Sequence, residues 1–264
     1  MNSFPKKRRI MLTVAYDGTE YHGFARLKDD AKTIEGQLDT ALTLLLGSRT
    51  EVTGASRTDS GVHAMGNAAV FDTVSTIPTA NFPDALNTKL PYDIRIRAAR
   101  EVPDDFHPRH TDTIKTYRYE IDNEIIADPL RSRYAMQVGY ELDTVRMNEA
   151  AGFLVGEHDF KSFCSVHTQA KNTVRHITDI RVTRAASSCV YITVKGHGFL
   201  YNMVRIIAGT LIEAGRGRIE PEAVKSILQA ADRTKNPGFT AEARGLTLVG
   251  IVFSELEERE YGSY

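Results

Sequence analysis

Apolar and polar positions alternate from Ile10 to Tyr16, the period of two that a half-buried strand requires. Asp17-Gly18 ends the run. Beyond it, Ile34, Leu38, Ala41, Leu42 and Leu45 recur at three- and four-residue intervals, which predicts an amphipathic helix. Thr33 stands where a cap would accept backbone N–H bonds, and Gly47 where the helix would stop. Residues 51–55 and 68–71 read as short strands around a Ser60-Gly61 turn, 82–90 as a short helix and 93–102 as another alternating strand. The order is βαββαβ.

The remainder repeats it. Residues 116–121 form a strand, and 145–155 a helix capped by Asp143. Residues 177–183 and 190–194 pair as a hairpin. A helix over 200–214 carries the stripe Met203, Ile206, Ile207 and Leu211. Residues 221–231 add a second helix with Pro221 in its first turn, where proline is tolerated. A strand over 246–253 closes the chain. Two copies of the split βαβ unit are the economical arrangement. The expectation is an α+β protein of two ferredoxin-like βαββαβ halves, residues 1–112 and 113–264, whose antiparallel sheets meet across a central cleft.

Composition narrows the class. The 264 residues are 42% hydrophobic and 25% charged, which excludes a disordered, collagen-like or low-complexity chain. No run approaches the roughly 20 apolar residues that span a bilayer. No apolar segment of signal-peptide type follows the basic start. Cys164 and Cys189 form no CxxC pair and suggest no disulfide framework, so a reducing cytoplasm is the expected compartment. The net charge of −1 lacks the basic excess usual in nucleic-acid binders. Locally the balance differs. Between Phe160 and Gly209 seven basic residues (Lys161, Lys171, Arg175, Arg181, Arg184, Lys195 and Arg205) face one acid, Asp179, a local charge of +6. Lys6-Lys7-Arg8-Arg9 forms a second basic cluster, balanced in part by Glu255, Glu257, Glu258 and Glu260. Such a surface could hold a phosphate backbone, or be charge scattered over solvated strands.

The densest local pattern is Arg57-Thr58-Asp59-Ser60-Gly61-Val62-His63-Ala64. In extended chain Arg57 and Asp59 point to the same side. A neighbouring arginine keeps a carboxylate ionised, and an ionised Asp can serve as nucleophile or base. Asp is also common as a turn cap, so the pattern alone leaves both readings open. Tyr117 and Tyr119 share one strand face, as core packing or as a platform for a flipped base. Arg205 lies beside an apolar helix stripe and needs an anionic partner; Asp59 would serve. His107 and His110, near Asp104 and Asp105, do not have the HExxH spacing, and Pro108 breaks a helix there, so no metal site is expected. Gly196-His197-Gly198 and Gly215-Arg216-Gly217 continue into neither a phosphate loop nor a dinucleotide fingerprint, and there is no GxSxG.

In series these pieces resemble the TruA family of tRNA pseudouridine synthases along nearly the whole chain. The matching residues are Tyr16-Asp17-Gly18-Thr19 and Tyr21-His22-Gly23, Arg57-Thr58-Asp59 with Gly61-Val62-His63-Ala64, Leu86-Asn87, Leu90-Pro91, Asp93-Ile94 and Phe106-His107. They continue through Lys115, Tyr117 and Tyr119, Gly156, Asp159-Phe160, Ser162-Phe163, Phe199, Asn202-Met203-Val204-Arg205 and Gly245-Leu246. The resemblance implies isomerisation of uridine to pseudouridine at positions 38–40 of the tRNA anticodon stem-loop. It implies Asp59 as catalytic carboxylate, Arg57 as the arginine preceding it, and Arg205 as the basic residue paired with it. It also implies Tyr117 against the target base, Leu246 lining the uracil pocket, a cleft for RNA between the halves, a homodimer, and no metal or organic cofactor. The chain departs from the family pattern at Phe24-Ala25 (usually Trp-Gln), Ala55-Ser56 (Ala-Gly), Gly66-Asn67 (Gly-Gln) and Ile34-Glu35 (Val-Gln). The competing expectation is a tRNA-binding relative that is non-catalytic or has a shifted target. A hydrolase is weaker, since it needs a second acid about 5–9 Å from Asp59 and none is evident.

Overall fold

The computed structural model describes residues 6–28, 32–185 and 188–256. Glu257, Glu258 and Glu260 of the acidic tail lie outside them. The fold is mixed α+β with mostly antiparallel pairing. Contacts divide it into two compact units, Met1–Asp112 with Leu248–Tyr264, and Thr113–Thr247. Residues 248–256 therefore group with the amino-terminal residues, whereas the sequence pattern places them with 113–264.

The first unit contains β1 (Arg8–Tyr16), α1 (Ile34–Leu46), β2 (Thr53–Gly54), β3 (His63–Thr73), α2 (Phe82–Asn87) and β4 (Ile94–Val102). β1 lies between β4 and β3, antiparallel to both, with Leu12 opposite Ala69 on one side and Ala99 on the other. β2 pairs with β3. The closing strand, Leu246–Phe253, borders β3. Ile10, Leu12 and Val14 are buried, and Phe71 meets Phe82 of α2 edge-on at 5.4 Å. Each such aliphatic side chain contributes about 1.5–3 kcal/mol by leaving water. Thr33 caps α1 by accepting from Gly36 N, and Gly47 ends it in the left-handed conformation at φ 69°. The strand expected over 51–55 is only two residues, and that over 68–71 extends to eleven.

The second unit contains β5 (Thr113–Asp122), β6 (Met136–Gln137), α3 (Thr144–Gly152), β7 (Gly156–Asp159), β8 (Val174–Arg184), β9 (Cys189–His197), α4 (Met203–Gly215) and α5 (Ala223–Gln229); the closing strand is β10. β9 lies between β5 and β8, antiparallel to both, with β7 beyond β8 and the short β6 parallel to β5. Asp143 caps α3, accepting from Val145 N and Arg146 N. α4 is buried almost all round, in keeping with a sequence that is apolar except at Arg205, Thr210 and Glu213. It begins at Met203 rather than 200, because Asn202 adopts φ 60° and breaks the helical run before it. Among the described residues no helix is long and apolar enough to cross a membrane.

Candidate active site

Two sequence-distant motifs of the first unit are bonded into one scaffold around Asp59. Asp59 is half-buried in the loop between β2 and β3; Arg57 is exposed and Thr58 buried. The Thr58 side chain is 2.7 Å from Tyr16 Oη, and the Thr58 carbonyl accepts from Phe24 N at 3.1 Å. The next turn is held from the other side: Ser60 Oγ and Gly61 N both donate to the Tyr21 carbonyl, at 3.1 and 3.3 Å. Tyr21 is fixed in turn, its hydroxyl donating to Asp93 at 2.7 Å. Burial and that carboxylate push the Tyr21 phenol well above its ordinary value, so it remains a donor. Asp17 accepts from the amide and hydroxyl of Thr19, which sets the first motif's turn. The Gly18 amide donates to His63 Nδ1 at 3.1 Å. A Cβ on Gly18 would lie 2.0 Å from the Val62 carbonyl oxygen, so only glycine lets the two motifs meet.

Behind this loop sit the departures from the family pattern, and they are neighbours. Asn67 is fully buried; its amide nitrogen donates to the Ser56 carbonyl at 2.9 Å and to Tyr16 Oη at 3.3 Å. Its oxygen accepts from the amides of Ser56 and Ala68, at 3.2 and 2.9 Å. The Glu35 carboxylate accepts from Gly54 N and Arg26 N, at 3.0 and 2.9 Å. The Phe24 ring fills the space that a side chain at Gly54 would need, and packs 5.8 Å from the Tyr16 ring. Asn67, Glu35 and Phe24 form an internal support for residues 54–58.

The remaining expected site residues belong to the second unit. Tyr117 is 7% exposed on β5, and its ring meets Phe199 edge-on at 5.1 Å. Tyr119 is fully buried and donates to the Glu242 carbonyl at 2.8 Å, which makes it a structural anchor rather than a platform for a base. The same ring sets the place of Leu246. A Cβ on Gly245 would come 2.6 Å from Tyr119 Cζ and 2.9 Å from the Glu120 carbonyl oxygen, so the turn Ala243–Gly245 packs flat on β5 and delivers buried Leu246 to the start of β10. Arg205 occupies the first turn of α4, donating from Nε to the Ala241 carbonyl at 2.6 Å and from Nη1 to Asn202 Oδ1 at 2.9 Å. Tyr117, Phe199, Arg205 and Leu246 are thus each seated by contacts within their own unit. Phe199 gave no signal in the sequence beyond its place in the motif series; only the fold shows its contact with Tyr117.

His107 and His110 stack with ring centres 3.9 Å apart. Burial, with the charge of His110 second, pushes His107 below its ordinary value. Among the described residues no group of three or more His, Cys, Asp or Glu side chains could hold a metal ion.

A family model described as tRNA pseudouridine synthase matches residues 12–110 and 150–254, which include Arg57, Asp59, Arg205 and Leu246. The chain belongs to the tRNA pseudouridine synthase family. Similar relatives include tRNA pseudouridine synthase A of Brevibacillus brevis and of Ruminiclostridium cellulolyticum, each 45% identical over 246 residues, covering 93% of this chain and 100% of the relative. The protein of the same description from Caldicellulosiruptor bescii is 43% identical over the same coverage. Tyr117 lies outside the spans matched by the synthase family model. Its assignment rests on the motif series and on its contact with Phe199.

Proposed function

We propose that this synthase isomerises uridine to pseudouridine in the anticodon stem-loop of tRNA, with Asp59 as the catalytic carboxylate acting on a flipped uridine. The observation that carries the reading is the match of the family model across both units, together with the two-motif scaffold that holds the Asp59 loop. Substrate and product are isomers, so the reaction needs no oxidant and no energy source. The N1–C1′ bond breaks, uracil turns, C5 bonds to C1′, and the proton lost from C5 is balanced by one gained at N1. Asp59 acts either as nucleophile or as the base that removes a ribose proton. The family resemblance assigns Arg57 and Arg205 as the basic residues that serve this carboxylate. Tyr117 and Leu246 retain the detached base by aromatic and apolar contact. Unstacking the uridine costs a few kcal/mol, offset by contacts between basic side chains and phosphates.

The element order β1-α1-β2-β3-α2-β4, with β2 on β3 and β1 between β3 and β4, supports reading residues 1–112 as a ferredoxin-like half; the family resemblance supports a second such half after it. The relatives' names support tRNA as the substrate, and the family resemblance is the ground for a cytoplasmic homodimer that uses no cofactor. The test uses unmodified tRNA transcripts carrying tritium at uridine C5. Release by the wild type, mapping to positions 38–40, is the expected result. Release mapping elsewhere would keep the chemistry and overturn the substrate. Binding without release would leave a tRNA-binding relative, and free uracil would mean hydrolysis.

A further inference from the structure

We propose that Arg175 and Arg233 form a phosphate clamp beside the Tyr117–Phe199 pair, holding the backbone of nucleotides that flank the target uridine; this rests on the reading of the chain as a tRNA-modifying enzyme. Register puts Arg175 on the same sheet face as Tyr117. β8 pairs His176 with His197 and Ile177 with Gly196, while β5 pairs Lys115 with Gly196 and Tyr117 with Val194. Residues opposite one another share a face, and faces alternate along a strand. Ile177, Gly196, Lys115, Val194 and Tyr117 are therefore on one face, and Arg175, two residues before Ile177, joins them. His176 and His197, stacked at 5.4 Å, lie on the other. A Cβ on Gly198 would stand 3.8 Å from Arg175 Cδ and Nε, and Phe199, the next residue, touches Tyr117.

Arg233 approaches from the far side of the turn Lys161–Phe163. Phe160 N donates to the Thr173 carbonyl, at the Arg175 end. Asp232 N donates to Ser162 Oγ at 2.8 Å, and Asn236 Nδ2 to the Ser162 carbonyl at 3.1 Å, at the Arg233 end. Both guanidiniums act on the buried Cys164 thiol, as do the Asp159 carboxylate and Lys161.

The charge of this pair is uncompensated. Arg8, Arg9, Arg26, Arg49, Arg146 and Arg216 each pair with a carboxylate. Among the described residues Arg175 and Arg233 form no ion pair. Arg175 directs Nη1 to the carbonyls of Asn172 and Val174, at 3.0 and 2.6 Å, and its Nε and Nη2 have no hydrogen-bond partner among the described residues. Arg233 directs its two terminal nitrogens to the carbonyls of Asn236 and Gly238, both at 2.8 Å. Burial pushes both guanidiniums below their ordinary value. A half-buried cation without an ion-pair partner is costly unless a ligand brings the anion. A phosphate fits, because guanidinium N–H groups match its oxygens in direction and charge. The +6 segment of the sequence thus has a focus.

The test measures tRNA affinity against salt for wild type, Arg175→Ala, Arg175→Lys and Arg233→Lys, with tritium release alongside and thermal unfolding to check the fold. Arg175→Ala is expected to lower the slope of log K against log salt by about 0.7–0.9, one phosphate's worth, and to raise KM while kcat stays within about twofold. Arg175→Lys should keep the slope and lose part of the affinity; Arg233→Lys, which retains charge but not the fork, should do the same. A purely structural role would shift unfolding and leave the slope alone. If the wild type binds and isomerises tRNA while Arg175→Ala shows the same affinity and slope, the clamp is wrong and the enzymatic reading survives. If the wild type binds without releasing tritium, the enzymatic reading fails and the slopes still decide the clamp.

Discussion

Tyr16 Oη lies 2.7 Å from Thr58 Oγ1, so the last residue of the first strand is bonded to the residue immediately before Asp59. The loop that bears the proposed catalytic carboxylate is therefore braced by a strand about 40 residues earlier in the chain, not by its own hairpin alone. That bond helps to set where the proposed carboxylate stands.

Replacing Asp59 by Asn keeps the side chain's shape and removes its charge. Tritium release from C5-labelled transcripts should vanish, while tRNA affinity stays within about tenfold, or about 1.4 kcal/mol. Turnover by Asp59→Asn near the wild-type rate would remove Asp59 from the mechanism.

At Tyr117 the ring matters more than the hydroxyl. Tyr117→Phe should retain part of the activity, and Tyr117→Ala should lose about 1–3 kcal/mol of base stacking, about 5- to 150-fold in kcat/KM. Equal single-turnover rates for all three proteins would refute the contact with the base.

Asn67 makes four bonds in the interior, three of them to backbone. Asn67→Ala leaves the Ser56 amide and carbonyl without that partner and should cost about 2–4 kcal/mol in urea unfolding. A loss under about 0.5 kcal/mol would show that water or a shift in the loop replaces the side chain.

Gly18→Ala should be worse than an ordinary glycine substitution, because the obstacle is the Val62 carbonyl and not a movable side chain. We expect loss of tritium release, with unfolding destabilised by about 1–3 kcal/mol or more. Wild-type activity in this variant would mean that the two motifs need not meet.

Asp72 accepts from Arg9 at 2.7 and 2.9 Å and pairs with Lys7; chiefly the Arg9 bond holds its carboxyl at about 2, against 3.8 ordinarily. The native state thus binds this proton more weakly than the unfolded chain. Its contribution is present above about pH 4 and is lost as pH falls towards about 2. Because the group is one-third exposed, screening reduces the contribution to about 1 kcal/mol. Asp72→Asn should be less stable than wild type at pH 7 and converge with it near pH 2; parallel urea midpoints across that range would contradict the assignment.

Where local chemistry decides structure, the sequence is readable. Thr33, Gly47 and Asp143 cap and stop their helices because each forms its bonds with residues close by. Long-range bonding is less visible. β3 extends back to His63 through Met65, Gly66 and Asn67, which break the apolar alternation. Their partners are on β1 and in the core, beyond the reach of periodicity. The motif series locates Asp59 and Arg205, but not what seats them. Ser56 and Asn67 look like unrelated departures in a linear string and prove to be hydrogen-bonded neighbours. Tyr117 and Tyr119 look equivalent on one strand face, yet it is the second that the Glu242 carbonyl, more than a hundred residues on, accepts a bond from.

The membership of Leu248–Phe253 in the first unit also bears on biosynthesis. A nascent chain can assemble β1, β3 and β4 as soon as residue 102 clears the ribosome, but the strand that borders β3 is made only after all of Thr113–Thr247 has emerged. Until then one edge of β3 is open except where the two residues of β2 pair with Ala69 and Val70, the kind of surface that invites wrong pairing during synthesis. Pulse-labelled chains halted before residue 246 should therefore remain protease-sensitive in residues 63–73, and chains released after residue 253 should become resistant there; early resistance would show that β3 closes without its terminal neighbour.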